Sequence, residues 1–149
     1  MYGHLLEDVL ILLARLAGHT VTDLQKQVNV YGIVGHQDCM IDGILVDCKS
    51  ASGKSFEKFS KDTLSTDDPF GYIAQISAYA EGNNVDEAAF LAIDKQHGNI
   101  CLTRIHSMDM INVKKRIEYL KGSMDESNPP DKRYDDIPDG ASGNRKLAI

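Results

Sequence analysis

Two aspartates and a lysine, Asp38, Asp47 and Lys49, have the residue types and the spacing that could support hydrolytic chemistry. Between the two acids, Asp42-Gly43 forms a strong two-residue hairpin turn signal. With these two residues as the loop, the register places Asp38 directly opposite Asp47, with Cβ atoms about 4.5–5.5 Å apart. Like charges at that separation repel each other, so something must offset the repulsion.

The repulsion between the two acids can be relieved by a shared proton or by a divalent cation. At neutral pH a cation is the more economical explanation, since hard cations prefer oxygen ligands. Lys49 lies two residues beyond Asp47 and therefore on the same strand face, where its ammonium group could stabilise negative charge or help to activate a water. This arrangement suits phosphodiester hydrolysis, in which a water must be oriented and deprotonated and charge must be neutralised.

Alternation with period two predicts one row of side chains on a single sheet face: His36, Asp38, Met40, Leu45, Asp47 and Lys49. By itself, a D-x-K pattern in a strand is commonplace and most often marks a solvated sheet edge. Because Asp38 is placed opposite Asp47, a functional role for this D-x-K pattern is better supported than for an isolated one. His36 is equally consistent with a ligand, a substrate contact or an ordinary sheet histidine, whereas Asp42 is more simply the turn former.

The elements that must hold these residues follow from apolar periodicity and from capping and turn residues. Strong helix formers predict a first helix that Gly18 ends, with Glu7 half buried among its apolar side chains. The lysine-rich residues 50–68 are predicted to form an exposed loop, after which Asp68-Pro69 opens a second helix. The predicted helices are residues 4–17, 69–81 and 108–121, and the predicted strands are 28–41, 44–49, 88–94 and 99–105.

Length and composition limit the class of protein. With 149 residues, 42% of them hydrophobic, the chain can form one domain with a buried core, predicted at residues 1–124 and followed by an irregular tail at 125–149. No apolar run is long enough for a membrane span, so a cytoplasmic protein is expected. Three separated cysteines suggest neither disulfides nor a zinc ribbon. A net charge of −6 means that any role with nucleic acid must rest on a local site.

Three segments together resemble a known superfamily. The sequence G-H-Q-D at residues 35–38, followed by V-D-C-K-S at 46–50, resembles the core of the PD-(D/E)XK nucleases, with Gln37 in place of the nominal proline. The first helix with Glu7 resembles the first acidic motif of that superfamily. The sequence Q-I-S-A-Y at 75–79 resembles the Q-x-x-x-Y helix of its RecB-like, phage-type exonuclease branch.

The resemblance implies an α/β restriction-endonuclease-like core with a central mixed sheet flanked by helices, Mg²⁺ or Mn²⁺ as cofactor, and DNA as substrate. It implies that Asp38, Asp47 and the backbone carbonyl of Cys48 bind the metal, that Glu7 binds a water or a second ion, and that Lys49 is catalytic. Gln75 and Tyr79, one helical turn apart, are expected to approach the substrate, although Tyr79 is also a candidate core residue. The remaining candidates for substrate contacts are His36, Lys54 and Lys58.

The leading functional hypothesis is a metal-dependent exonuclease in phage-type recombination or replication, acting in the cytoplasm of the host cell if the chain is phage-encoded. A structure-selective or nicking endonuclease on the same core is the second hypothesis. The third is a DNA-binding or assembly module without turnover. Homo-oligomers and phage recombination or replication proteins are the expected partners besides DNA.

Overall fold

The computed structural model describes residues 2–124, apart from the side chain of Tyr2. The chain divides into two compact units, Met1–Lys114 and Lys115–Ile149. The tail predicted at 125–149 lies outside the described residues, so its irregular structure stays a prediction. Between residues 2 and 124, no helix is both long enough and apolar enough to cross a membrane.

The described residues form helices and strands in the following order. The elements are α1 (Tyr2–Leu16), β1 (Val21–Thr22), β2 (Gln27–Val30), β3 (Ile33–His36), β4 (Cys39–Ile41), β5 (Ile44–Ala51), α2 (Lys54–Ser60), α3 (Tyr72–Asn83), β6 (Glu87–Asp94), β7 (Ile100–His106), a 3₁₀ turn (Ser107–Asp109) and α4 (Val113–Ser123). In the second unit, the described part of α4 places the Arg116 guanidinium 5.7 Å from the centroid of the Tyr119 ring.

A five-stranded mixed sheet is the centre of the first unit. Its strand order is β1-β4-β5-β6-β7, in which only β5 and β6 run parallel to each other. The apolar run of β6 is typical of a parallel strand covered on both faces. The predicted α/β class, with a central mixed sheet flanked by helices, is confirmed.

Helices cover both faces of this sheet. On one face, Leu10 of α1 packs against Cys39, Val46 and Ala89. On the other face, residues of α2 and α3 form the larger cluster with Leu45 and Phe90. Asp47 alternates with Val46 and Cys48 along β5, so its side chain lies on the face that α2 and α3 cover.

The hairpin that carries the two acids is confirmed in its turn and its register. Asp42 and Gly43 both have positive φ, and Ile41 pairs with Ile44, Met40 with Leu45 and Cys39 with Val46. The side chain of Asp42 is a turn anchor, because it accepts hydrogen bonds from Thr20 N–H and from His19. All three cysteines are free.

The single strand predicted at residues 28–41 is wrong. A two-residue turn at Tyr31 and Gly32, both with positive φ, divides that segment, and β2 and β3 pair only with each other. The two strands form a ribbon separate from the main sheet. His36 therefore does not share the sheet face of Asp47.

Three other element boundaries differ from the prediction. Residues 50–68 are not a loop, because α2 lies within them and buries Phe59. Helix α3 begins at Tyr72 rather than at Pro69, although the carboxylate of Asp68 does accept the N–H groups of Tyr72 and Ile73. The helix predicted at 108–121 is a 3₁₀ turn followed by α4, since Met110 has extended backbone.

Helix α3 holds the β2–β3 ribbon through a close backbone approach at Gly82. A Cβ atom at this position would lie 2.2 Å from Cγ1 of Val28 and 2.8 Å from Cγ2 of Val30. Both valines are buried, and their branched side chains have little rotamer freedom. The glycine is therefore what lets the helix and the ribbon pack together.

Gly82→Ala is expected to destabilise the fold by about 1–3 kcal/mol, because the added methyl group overpacks the contact with the ribbon. The matched control is Gly122→Ala, also within a helix, where a Cβ atom would meet nothing within 4 Å. That control should be neutral or slightly stabilising. Urea denaturation of both variants measures the difference, and equal midpoints would contradict this packing.

Candidate active site

Among residues 2–124, Asp47 is the most buried acid. It lies in the middle of β5, is only 3% exposed, and has Nζ of Lys49 2.6 Å from its Oδ2. Apart from this ion pair, Oδ2 has no hydrogen-bond partner among residues 2–124. It is the sole buried side-chain oxygen or nitrogen among residues 2–124 in this condition. A carboxylate oxygen with a single partner keeps acceptor capacity for a further ligand.

The burial of Asp47 shifts the pKa values of both Asp47 and Lys49. Burial raises the pKa of the Asp47 carboxyl to about 6; the Lys49 ammonium acts in the opposite direction, and the charges of Asp38 and Glu7 raise the pKa further. For Lys49, burial alone would lower the pKa of the ammonium, but Asp47 and Asp38 outweigh it and raise that pKa above its ordinary value. At neutral pH the two side chains therefore form an ion pair.

Asp38 reaches the site by a route different from the predicted one. It lies one residue before β4, so it has no partner in the β4–β5 ladder, which begins at Cys39 and Val46. Its Oδ2 accepts a hydrogen bond of 2.7 Å from the backbone N–H of Cys48. The direct cross-strand pairing of the two aspartates is thus wrong in detail, although Asp38 still acts on the charge of Asp47.

Glu7 of α1 is the third acid at the site. Its side chain is 26% exposed, in agreement with the half-buried position predicted for it, and it contacts His4 at 3.2 Å. Its charge raises the pKa of Asp47, so the two groups are electrostatically coupled. Asp47 therefore has two other carboxylates near enough to raise its pKa, against the single ammonium of Lys49.

The donor set fits a hard cation that is held only in part by protein. No group of three or more His, Cys, Asp or Glu side chains within residues 2–124 is arranged to hold a metal ion alone. Mg²⁺ commonly uses one or two carboxylates and completes its shell with water and substrate phosphate oxygens. Asp38 and Asp47 can supply that pair. Cys48 could add only its backbone carbonyl, because its side chain lies in the cluster under α1.

Two residues of α3 extend the site beside Lys49. Nζ of Lys49 lies 3.4 Å from Oε1 of Gln75, to which it donates, and 5.3 Å from the centroid of the Tyr72 ring. The structure therefore brings Gln75 to the centre of the site, as the sequence pattern indicated. Tyr72 was missed, since an aromatic residue at a helix start carries no local sign that it will lie under a lysine.

Tyr79 of α3 packs against the ribbon at Gly35. It is half-buried against the core that α3 covers, and a Cβ atom added at Gly35 would lie 3.0 Å from its ring and its hydroxyl oxygen. The neighbouring Gln37 is fully buried and accepts a 2.6 Å hydrogen bond from the side chain of Asn83. In the sequence, Gln37 was notable only because it replaces the proline of the motif. In the structure, its burial and its bond to Asn83 hold the segment that leads into Asp38.

The remaining candidates are not brought together with these acids by any recorded contact. His36 is exposed at the end of β3, and Lys54 is exposed at the start of α2. Lys58 forms an ion pair of 2.8 Å with Asp67. Their roles as substrate contacts stay predictions.

Comparison with known proteins agrees with the geometry at the level of the fold. No family model matches the chain, and no curated protein is significantly similar to it. Solved structures do match. The alkaline exonuclease LHK-Exo from Laribacter hongkongensis has a TM-score of 0.53 and 18% identity, covering 80% of this chain and 71% of that chain. The chain has the fold of this exonuclease.

Two further solved structures give the same result. LHK-Exo in complex with dAMP has a TM-score of 0.53 and 18% identity, with 80% of this chain and 70% of that chain covered. The protein SSO0001 has a TM-score of 0.51 and 14% identity, with 88% of this chain and 62% of that chain covered. At these identities the shared property is the fold, so the function must be argued from the site.

Asp47→Asn is expected to remove the pH dependence that the Asp47 carboxyl gives to stability. The carboxyl has a pKa of about 6 in the folded chain against an ordinary 3.8, so folding favours its protonated form. The protonated carboxyl makes its full contribution to the free energy of unfolding below pH 3.8. As the pH rises through 6 this contribution is lost, and the free energy of unfolding falls by about 3 kcal/mol.

The measurement is urea denaturation of both proteins between pH 4 and 8 with EDTA present. The variant should gain stability over the wild type as the pH rises, and the gap should close near pH 4. The exposed Asp42→Asn is the control and should show no gain at high pH, because the pKa of Asp42 is lowered. A wild-type minus Asp47→Asn difference that stays flat with pH would contradict the burial of an ionisable group.

Proposed function

We propose that this chain is a metal-dependent DNA nuclease that hydrolyses phosphodiester bonds. The observation that carries the proposal is the buried Asp47 carboxylate, which has a raised pKa, an ion pair with Lys49 and the negative charge of Asp38 nearby. Perturbed ionisable groups gathered in this way are typical of active sites. The fold shared with an alkaline exonuclease supports the same chemistry.

Mg²⁺ or Mn²⁺ is the cofactor that this donor set suits. Asp38 and Asp47 would hold the ion, with Glu7 and the backbone carbonyl of Cys48 as further ligands directly or through water. When bound, a divalent ion supplies Lewis-acid stabilisation of phosphoryl oxygens and makes a neighbouring water a better nucleophile. Its two positive charges would also offset the repulsion from the two carboxylates that raise the pKa of Asp47.

Lys49 is the catalytic residue of the proposal. Its ammonium is held by Asp47 on one side and by the amide oxygen of Gln75 on the other, so it is fixed before substrate arrives. A fixed positive charge beside the scissile phosphate stabilises the charge that develops there during cleavage. Gln75 then acts as a positioning residue for Lys49, and Tyr79 as one for the segment that leads into Asp38.

The biological setting is also part of the proposal. An exonuclease of phage-type recombination or replication, acting in the cytoplasm on DNA ends or single strands, fits the resemblance of the motifs at residues 35–38, 46–50 and 75–79. Partner proteins of that process and other copies of this chain are the expected assemblies.

The cleavage assay compares wild type, Lys49→Ala and Arg15→Ala on a fluorescent DNA oligonucleotide. Wild type should cleave with MgCl₂ or MnCl₂ and stop in EDTA. Lys49→Ala should be slower by about 100-fold or more, the usual effect of removing one group that stabilises developing charge. Arg15, exposed near the end of α1, should be replaceable without loss. If wild type and Lys49→Ala show the same residual cleavage, the nuclease proposal fails, and a DNA-binding or assembly module without turnover becomes the better assignment.

A nicking or structure-selective endonuclease on the same core is the second candidate, because the same acids and lysine serve either reaction. Matched linear and closed circular DNA separate the two activities. The proposed exonuclease should degrade the linear form and leave closed circles intact. Nicked or linearised circles on an agarose gel would assign the endonuclease instead.

A further inference from the structure

An exposed phenylalanine lies near the lysine of the candidate active site. Phe70, in the segment between α2 and α3, is 66% exposed although its side chain is wholly apolar. A single apolar side chain on a surface is common and needs no explanation. Phe70 is not isolated, however, because its ring packs beside that of Tyr72, with centroids 5.6 Å apart and planes at 35°. This spacing is that of an ordinary aromatic pair.

Tyr72 connects Phe70 both to the core and to Lys49. On the core side, the centroid of its ring lies 5.6 Å from that of Phe59 and 6.1 Å from that of Phe90. Nζ of Lys49 lies 5.3 Å from the same centroid. The centroid of the Phe70 ring is therefore no farther from Nζ than two steps, of 5.6 Å and 5.3 Å, placed end to end. This limit on the distance holds whatever path the chain takes between the residues.

The distance from Lys49 to Phe70 matches a short stretch of one nucleic-acid strand. Stacked nucleotides follow one another along a strand at about 3.4 Å, so about three of them fit within the limit. With a phosphate at the Lys49 ammonium, as the proposed function requires, a base a few nucleotides away on the same strand reaches the Phe70 ring. Every base has a π-face, and aromatic side chains bind bases by stacking with little regard to sequence.

The acids next to Phe70 do not leave uncompensated charge where the strand would lie. Asp67 and Asp68 precede Phe70 closely in sequence, but each carboxylate has a partner. Asp67 forms a 2.8 Å ion pair with Lys58, and Asp68 accepts two backbone N–H groups at the start of α3. These bonds to Asp68 also tie the Phe70 segment to the helix. A surface that is ordered in advance loses less entropy when it binds a ligand.

We propose that Phe70, supported by Tyr72, stacks on an unpaired nucleobase of the strand whose phosphate lies at Lys49. The bound substrate is then a single strand or a frayed end, since a base inside a duplex must leave its stack before a side chain can cover its face. The inference rests on the proposed function for the position of the phosphate, and it deepens that function by naming a base-binding residue and the substrate class that it selects. A nucleotide combines an aromatic base with a phosphate and so matches both the ring and the ammonium, which an apolar surface of a second copy of this chain does not.

The first test measures the Kd of a short fluorescent single strand by anisotropy, in CaCl₂ and in EDTA. Phe70→Ala should raise the Kd by about tenfold, the usual effect of removing one stack between a base and an aromatic side chain. Phe70→Leu should behave like Phe70→Ala, because leucine is apolar but has no π-face, whereas Phe70→Trp should bind as tightly as wild type. The ratio of the Kd values of Phe70→Ala and wild type should be the same in low and high salt, because stacking involves no charge.

The second test shows whether Phe70 contacts a base. Abasic positions are introduced one at a time along the strand. One of them should raise the Kd of wild type by about tenfold. The same abasic strand should leave the Kd of Phe70→Ala close to its value for the intact strand, because both changes remove one contact. Losses that add at every position would overturn the proposal.

The matched control is Leu102→Ala in β7. Leu102 is 56% exposed and pairs with Leu91 on the sheet face that α1 covers, opposite the face that α3 covers. This variant should leave the Kd unchanged, and thermal denaturation checks that all variants are folded. Equal Kd values for Phe70→Ala and Leu102→Ala would overturn the proposal, as would a wild type that binds no single strand in either buffer.

Other outcomes assign Phe70 differently. A loss of the same size with a duplex whose terminal base pairs are cross-linked would overturn the choice of an unpaired nucleotide. Self-association that Phe70→Ala abolishes, with the Kd for DNA unchanged, would assign the ring to a second copy of the chain.

Cleavage kinetics separate this inference from the proposed function. Phe70→Ala should raise KM more than it lowers kcat, because the stack holds substrate and does not act on the phosphate. A wild type that never cleaves but keeps the Phe70 and abasic effects on Kd would refute only the nuclease. Cleavage with a KM that Phe70→Ala does not change would refute only the stacking.

Discussion

The arrangement of this protein depends on one costly interaction, an ionised carboxylate held inside a β-sheet. Asp47 loses hydration on burial and is repelled by Asp38 and Glu7, and the ion pair with Lys49 compensates for only part of that loss, since the pKa of the carboxyl remains raised. An apolar side chain at this position would instead extend the cluster around Leu45 and Phe90. Burying a charge beside like charges destabilises a fold, so the site holds local strain that the rest of the sheet must support.

Separate parts of the chain supply the groups around that carboxylate. Helix α1 brings Glu7, and α3 brings Gln75 to Lys49. Asp38 enters where the chain leaves the ribbon, just before the β4–β5 ladder begins, and there it takes the free N–H of Cys48. The point at which β4 and the ribbon separate is thus also the point at which the second acid can turn toward β5. The same packing that holds the ribbon on α3, through Gly82 and Asn83, therefore fixes the position of Asp38.

Local signals in the sequence were sufficient where the structure itself is local. The Asp42-Gly43 turn, the apolar run of β6 and the glycine after α1 specify their conformations within a few residues. The mixed sheet was expected from the resemblance of the motifs and not from these local signals. The failures have tertiary causes. Tyr31 adopts positive φ, which is uncommon for an aromatic residue, so its turn has no sequence signal apart from Gly32. Helix α2 is lysine-rich on the surface and is stabilised by the burial of Phe59, whose ring packs against Phe90, a residue distant in sequence.

The sequence could identify the acids and Lys49 but not their geometry, and this difference bears on the argument for function. A fold shared at 18% identity is compatible with many activities, so the fold alone does not require an ionisable residue at position 47. The site nevertheless combines a buried carboxylate, a lysine held by two partners, and a second acid turned in from a neighbouring segment. Each group alone has an ordinary structural explanation. Packing alone does not explain why these groups lie together, because a buried charge lowers stability and an apolar side chain at position 47 would pack better.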